Sequence, residues 1–205
     1  MMDAQKHAAD ERISLERLEK KILSTVTHKN LHSSSNQCQL NFEPLLPPQT
    51  ITISPAQMEI ISCHQNLLHK WKFLCKVSCR KLNTVCLQGV PKLFGKTAEV
   101  CDFLDFIQAL GGLTCDASVV KPNFVKRVLA SHACRYAVMF GDILSDIKCE
   151  EIIFELAKCD LSFVCAHGRP TITPLLDISK LDPIHPLNFK RGNNFFSGEQ
   201  KRKSI

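Results

Sequence analysis

Two pairs of metal-ligand side chains lie near opposite ends of this 205-residue chain, so one shared site requires a fold that brings the ends together. Cys165 and His167 follow the apolar run 161–164, and a strand there would send both side chains to one face. His7 and Glu11 are four residues apart in a helix-prone stretch and also share a face. Thiolate, imidazole and carboxylate donors suit zinc or a related transition metal. The sequence therefore predicts a metal site.

The composition is typical of a soluble globular protein with one large or two small domains, at 44% hydrophobic and 22% charged residues. No apolar run approaches the roughly 18 residues of a membrane helix, and the polar N-terminus lacks a secretory signal, so we expect no membrane partner. The formal charge of +6 permits a polyanionic partner such as nucleic acid. Eleven cysteines without a C-x-x-C pair indicate reduced intracellular thiols.

Hydrophobic periodicity predicts an α+β fold. The predicted helices cover 8–27, a segment beginning at Pro55, 98–110, 121–130 and 145–158, the last with Ser145 as N-cap. The predicted strands are 50–53, one or two within 71–90, and 161–164 before the turn CAHGRP. The polar segment 28–39 is predicted to be a loop.

Three motifs follow one another along the chain: QKHAADERISLE at 5–16, ACR at 133–135 and CAHGRP at 165–170. They resemble the D-Q-H-A-x-x-E-x-x-x-x-E, A-C-R and C-P-H-G-R-P motifs of the MutL C-terminal domain. That domain is the dimerisation and endonuclease half of DNA mismatch-repair proteins. The resemblance covers roughly residues 5–180. Ala166 and the run ACRYAVMFGD are most similar to the MutL-gamma endonuclease subunit, which acts in meiotic recombination.

The resemblance implies roles for individual side chains. The implied metal ligands are His7, Glu11, Cys165 and His167, with Cys134 beside them as a further ligand or a core residue. His7 and Glu11 would be catalytic, with Glu11 best suited to bridge two ions because a carboxylate has two oxygens. Glu16 matches the last acidic position of the first motif, and Arg169 and Arg135 would contact phosphate or be structural. The implied ions are Zn²⁺ and/or Mn²⁺, with Mg²⁺ as an alternative.

The resemblance also implies a domain organisation and partners. Residues 1–30 with 126–182 would form a split dimerisation subdomain, and 31–125 an inserted regulatory subdomain. The basic tail 183–205 is predicted to be disordered, with a nucleic-acid-binding segment as the alternative. The implied partners are double-stranded DNA and the smaller common MutL subunit, in the nucleus. No ATP-binding motif occurs, so ATP would act only through an N-terminal half outside this sequence.

The first motif departs from the family pattern, because Gln5 and Lys6 replace its aspartate and glutamine. The Gln5 amide carries no charge and the Lys6 ammonium repels a cation, so the ion nearest the substrate should bind less firmly. Asp3 could take the place of the missing aspartate if the terminus is mobile. The family has a hydrophobic strand before this motif, which we interpret as missing from a truncated product. Three hypotheses remain: a metal-dependent nicking subunit, a catalytically silent dimerisation module with a structural zinc, and an unrelated zinc-stabilised protein.

Overall fold

The computed structural model describes residues 2–27, 40–77, 83–112 and 120–174, and residues 1–172 form one compact unit. The helices in the described ranges are α1 (Met2–Thr27), α2 (Pro55–Cys63), α3 (Gln65–Lys70), α4 (Val100–Gly111), α5 (Asn123–Tyr136) and α6 (Asp146–Ala157). The strands there are β1 (Asn41–Thr52), β2 (Leu74–Val77), β3 (Thr84–Leu93) and β4 (Lys96–Thr97). The predicted α+β class is confirmed. The predicted loop 28–39 and tail 183–205 lie outside the described ranges.

The strands form one antiparallel sheet in the order β1-β3-β2, with the short β4 paired to β3. β1 begins at Asn41, so the predicted strand 50–53 was too short. The prolines at 44, 47 and 48 disfavour a strand, so the predicted strand began after them. They are tolerated because β1 is an edge strand in the described sheet and its register shifts between Pro44 and Gln49.

A single hydrophobic core joins the sheet to α1, α4 and α5. β3 crosses its centre, and α1 contributes Leu15 and Ile22. The largest fully buried core side chains include Trp71, Phe73, Phe103, Phe106 and Leu129. The subdomain boundaries given above stay a prediction. Among the described residues, no helix is both long enough and apolar enough to cross a lipid bilayer.

Helix α1 also packs against α6 through a smaller cluster, which contains Ala9, Ile13, Ile152 and Leu156. The predicted N-cap of α6 is confirmed, because the Ser145 side chain accepts a hydrogen bond from the Lys148 backbone N–H. Helix α1 is therefore covered by α5 and α6, and its buried face includes the first predicted motif.

The predicted strand 161–164 is wrong: residues 161–163 form a turn, and only Val164 makes an isolated bridge, to Pro170. Leu161 and Phe163 are exposed, so this apolar run does not enter the core. The backbone bonds locally instead, because Thr171 N–H donates to the Phe163 carbonyl at 3.1 Å. This pairing closes 164–170 into a tight loop, called here the CAHGRP loop.

Candidate metal centre

His7 and Glu11 lie side by side on the buried face of α1, as the helical spacing predicted. Their side chains are 7% and 1% exposed, and His7 Nε2 lies 3.6 Å from Glu11 Oε2. The neighbouring alanines 8 and 9 are also buried, and their small side chains let other elements approach the helix closely. Burial places a carboxylate where solvent cannot hydrate it, so it requires polar or charged partners.

Cys134 on α5 reaches the same point, with Sγ 3.5 Å from His7 Nε2. His7 Nδ1 lies 2.8 Å from the Val138 carbonyl oxygen, which can only accept, so Nδ1 carries the proton. Nε2 therefore faces Glu11 and Cys134, the orientation a metal-ligating histidine needs. Burial, then the negative charge of Glu11, raises the pKa of the Cys134 thiol.

Cys165 and His167 approach Glu11 from the CAHGRP loop. His167 Nδ1 lies 2.7 Å from Glu11 Oε1, and the His167 backbone N–H donates to Cys165 Sγ at 3.3 Å. Cys165 is buried and His167 is exposed, so the two side chains connect the interior to the surface. The predicted proximity of the two side chains is observed, but a tight turn with Gly168 at φ +78° produces it rather than strand alternation.

The five side chains form two overlapping triads that share Glu11. One contains His7, Glu11 and Cys134, the other Glu11, Cys165 and His167, and the ligand atoms of each lie within 4.8 Å of one another. Two donors on one tetrahedral zinc lie about 3.3–3.6 Å apart, given bonds of about 2.0–2.3 Å. The His7–Cys134 and His7–Glu11 distances are of this size. The first triad therefore fits a divalent ion, whereas the 2.7 Å between His167 Nδ1 and Glu11 Oε1 is a hydrogen-bond distance, and these two atoms would have to separate to share an ion.

Two further α1 residues hold the CAHGRP loop and the segment that leads into it. Arg12 donates from Nε to the Val164 carbonyl and from Nη2 to the Cys165 carbonyl. Glu16 accepts from the backbone N–H groups of Asp160 and Leu161 at 2.8 and 3.0 Å. Arg12 was not predicted from the sequence as a residue of this region. Its spacing could have indicated it, since Arg12 and Glu16 repeat the four-residue spacing of His7 and Glu11 on the next turn of α1.

The two predicted arginines lie in different places. Arg169 is exposed and near the cluster, where its charge acts to lower the pKa of Cys134 against the larger opposing effects. Arg135 is not part of the cluster and lines a groove on α5 instead. Gln5 is half-buried at the start of the described α1 side chains. The structure thus brings together His7, Glu11, Cys134, Cys165 and His167, but not Arg135.

The chain is thus an α+β domain in which a His/Glu/Cys cluster joins the first helix to a loop near residue 165. The chain belongs to the MutL C-terminal dimerisation domain family, whose model matches residues 5–144. The resemblance found in the motifs is therefore confirmed. This family occurs in DNA mismatch-repair proteins.

Individual relatives match over most of this chain. It is 34% identical to the DNA mismatch repair protein MLH3 of Arabidopsis thaliana over 85% of its length, and 30% identical to human Mlh3 over 86%. It is 28% identical over 87% to the mismatch repair endonuclease pms1 of Dictyostelium discoideum. The chain spans 15%, 13% and 16% of these relatives' own lengths, so it corresponds to a small part of each.

Proposed function

We propose that this chain is the metal-binding, DNA-nicking part of a MutL-type protein of mismatch repair or meiotic recombination. One relative, from Dictyostelium discoideum, is named a mismatch repair endonuclease. The observation that carries the proposal is the position of Glu11. Its carboxylate is 1% exposed, with Oε2 facing His7 and Oε1 facing His167. A buried carboxylate with an imidazole beside each oxygen would serve as a ligand of divalent ions held here.

The side chains differ in the ions that their donor atoms prefer. His7 would bind through Nε2, oriented by the Val138 carbonyl, and Cys165 as a thiolate that favours Zn²⁺. Glu11 and the exposed His167 would hold Zn²⁺ or Mn²⁺ on the solvent side. Mg²⁺, a harder cation, is the alternative ion there. A bound divalent ion would lower the pKa of water and would stabilise the negative charge that develops at a phosphodiester. Exposed Arg169 is available to contact the DNA phosphate.

Gln5 favours a second candidate function, a catalytically silent dimerisation module that retains a structural zinc. The amide adds no negative charge where the family motif has a carboxylate, so an ion near the substrate is held less firmly. The buried donors His7 and Cys165 and the half-buried Cys134 do not depend on Gln5. Zinc binding with no nicking is therefore the outcome that distinguishes this candidate.

For partner binding, we place the surface for the smaller common MutL subunit around α6 and the CAHGRP loop. Ten of the fourteen large apolar side chains described as exposed lie within residues 139–172. Ile143, Phe154 and Phe163 are among them, and are 99%, 62% and 70% exposed. Exposed apolar side chains concentrated in this way indicate a protein interface. The heterodimer would act on double-stranded DNA in the nucleus, with any ATP dependence arising outside this chain.

Metal content separates the candidates first. We would measure zinc and manganese by elemental analysis in the wild type, in Cys165→Ser/His167→Ala, and in Cys63→Ser/His69→Ala. The last is a matched control, because both residues are exposed on α2 and α3. Metal should be lost from the first variant only. Equal metal content in all three proteins would contradict the site.

Nicking of supercoiled plasmid in Mn²⁺, with the partner subunit present, then tests the activity. Nicking that is lost in Cys165→Ser/His167→Ala and kept in the control supports the endonuclease. Bound zinc without nicking in the wild type supports the silent module. Restoration of nicking by Gln5→Asp would show that the substituted motif position limits the activity.

Partner binding is tested with Phe154→Ser and with Phe42→Ser, which changes an exposed phenylalanine on β1. The Phe154 variant should lower the affinity for the partner subunit at least tenfold in co-purification or calorimetry, and the Phe42 variant should not. An equal affinity for both variants would place the interface elsewhere.

A further inference from the structure

A basic groove of about 640 Å³ lies between α1, α5 and the β3–β4 turn, and it shares no residue with the metal cluster. Its volume is in the range of about 300–1,000 Å³ that is usual for ligand sites. Its cations are Lys21, Lys96 and Arg135, and none of its lining residues is acidic. Lys21 and Arg135 form no ion pair with any carboxylate in the described part of the chain, and Lys96 Nζ donates only to Ser131 Oγ. The groove is therefore complementary to an anion.

Three rings lie in a row along this groove, the first pair stacked and the second tilted by 32°. The ring centroids of Phe94 and His132 are 3.9 Å apart, and those of His132 and Tyr136 are 4.5 Å apart. Tyr136 ends the row and is 70% exposed. Arg135, its neighbour in α5, lines the same groove. A flat ring could extend the row there while its charged substituents meet the cations.

The backbone of Phe94, whose ring lies in this groove, has a strained conformation. Phe94 and Gly95 are the two central residues of the β3–β4 turn and have φ of +48° and +75°. Such a turn favours asparagine or glycine at the first position, and a bulky residue rarely adopts positive φ. The phenylalanine side chain instead packs against His132 in the groove. Strain held at a ligand-facing position is typical of a binding site.

We propose that this groove binds a nucleotide unit of single-stranded DNA, with a base stacked on Tyr136 and the flanking phosphates on Lys21, Lys96 and Arg135. Stacking on an aromatic ring requires an unpaired base, whereas bases in a duplex already stack on one another. The mixture of cations and rings therefore favours a single strand over a duplex. The inference goes beyond the proposed nicking function and does not depend on it, because no cluster residue is involved.

The charge contribution is tested with the 205-residue chain in EDTA and a fluorescent oligothymidylate, by anisotropy at several salt concentrations. Lys21→Gln/Arg135→Gln should raise the Kd at least tenfold and lower the salt slope by about 1.4, at about 0.7 per lost phosphate contact on a single strand. Lys20→Gln/Lys126→Gln is the control, since both lysines are exposed on the same two helices outside the groove. An equal Kd for the two double variants would overturn the proposal.

The stacking contribution is tested with Tyr136→Phe and Tyr136→Ala, with the thermal midpoint compared to confirm that both fold. Phe keeps the ring and should bind as the wild type does, and Ala should bind about 5- to 150-fold more weakly. An equal loss in both variants would overturn the stacked base. Duplex DNA that binds as tightly as the single strand, without sensitivity to Tyr136, would overturn the single-strand assignment. Metal content should be unchanged in every variant, so failure here leaves the proposed function untouched.

Discussion

Arg12 Nη2 donates a hydrogen bond to the Cys165 carbonyl oxygen at 2.9 Å, and this bond joins α1 to a loop 153 residues further along the chain. A second bond from Arg12 Nε reaches the Val164 carbonyl. Arg12 is not a metal ligand, and its side chain is 8% exposed. The CAHGRP loop is therefore positioned by a buried cation on its backbone, before any ion binds its side chains.

Arg12→Met should lower the free energy of unfolding by about 2–4 kcal/mol, because two carbonyls lose a charged donor in a buried setting. Methionine keeps the apolar part of the side chain, so the loss reports the hydrogen bonds. Urea denaturation measures it. Arg12→Lys should recover part of the stability, since lysine can reach only one carbonyl at a time. Arg17→Met, at an exposed surface pair, should cost less than about 1 kcal/mol.

Glu16→Gln should also destabilise the chain, by about 1–3 kcal/mol. The two Glu16 oxygens accept from the backbone N–H groups of Asp160 and Leu161. A glutamine has one acceptor oxygen, so its NH₂ group would face one of these donors. The control is Glu59→Gln, an exposed residue of α2. Equal urea midpoints for the two variants would show that the Glu16 contacts contribute nothing.

Local periodicity allowed much of this molecule to be predicted. His7 and Glu11 share a face because α-helical spacing alone fixes that relationship. Ser145 is the N-cap of α6, as expected, because a cap depends only on the three residues that follow it. The position of Cys134 came only from the resemblance, since no local pattern shows that α5 crosses α1 at His7.

The errors arose where tertiary contacts override local preference. Residues 161–164 have the apolar composition of a strand, but the backbone N–H of Leu161 bonds to Glu16, and no strand within the described ranges pairs with the run. β1 was predicted too short for the opposite reason: its prolines disfavour a central strand, and the edge position that tolerates them is not visible in the sequence. Arg12 resembles an ordinary surface charge until the loop covers it.

Phe103→Ala should cost about 3–5 kcal/mol in unfolding free energy. Phe103 is fully buried on α4, and its ring centroid lies 5.5 Å from that of Phe73. Phe163→Ala removes the same group from an exposed position and should change the free energy by less than about 0.5 kcal/mol. Thermal or urea unfolding of the isolated chain measures both. A small loss at Phe103 would mean that the core around α4 is not packed as described.

Glu155 gives the clearest pH dependence. Its hydrogen bond to Lys158, together with that to Arg17, lowers the pKa of this carboxyl from 4.5 to about 2. Since the folded pKa lies below the unfolded one, the stabilisation is complete above about pH 5 and is lost as the pH falls towards 2. The stability difference between wild type and Glu155→Gln should shrink across that window. High salt should reduce the same difference at neutral pH, because the group is exposed and screened. A difference that does not vary between pH 7 and pH 2 would mean that the two cations do not hold this carboxylate in solution.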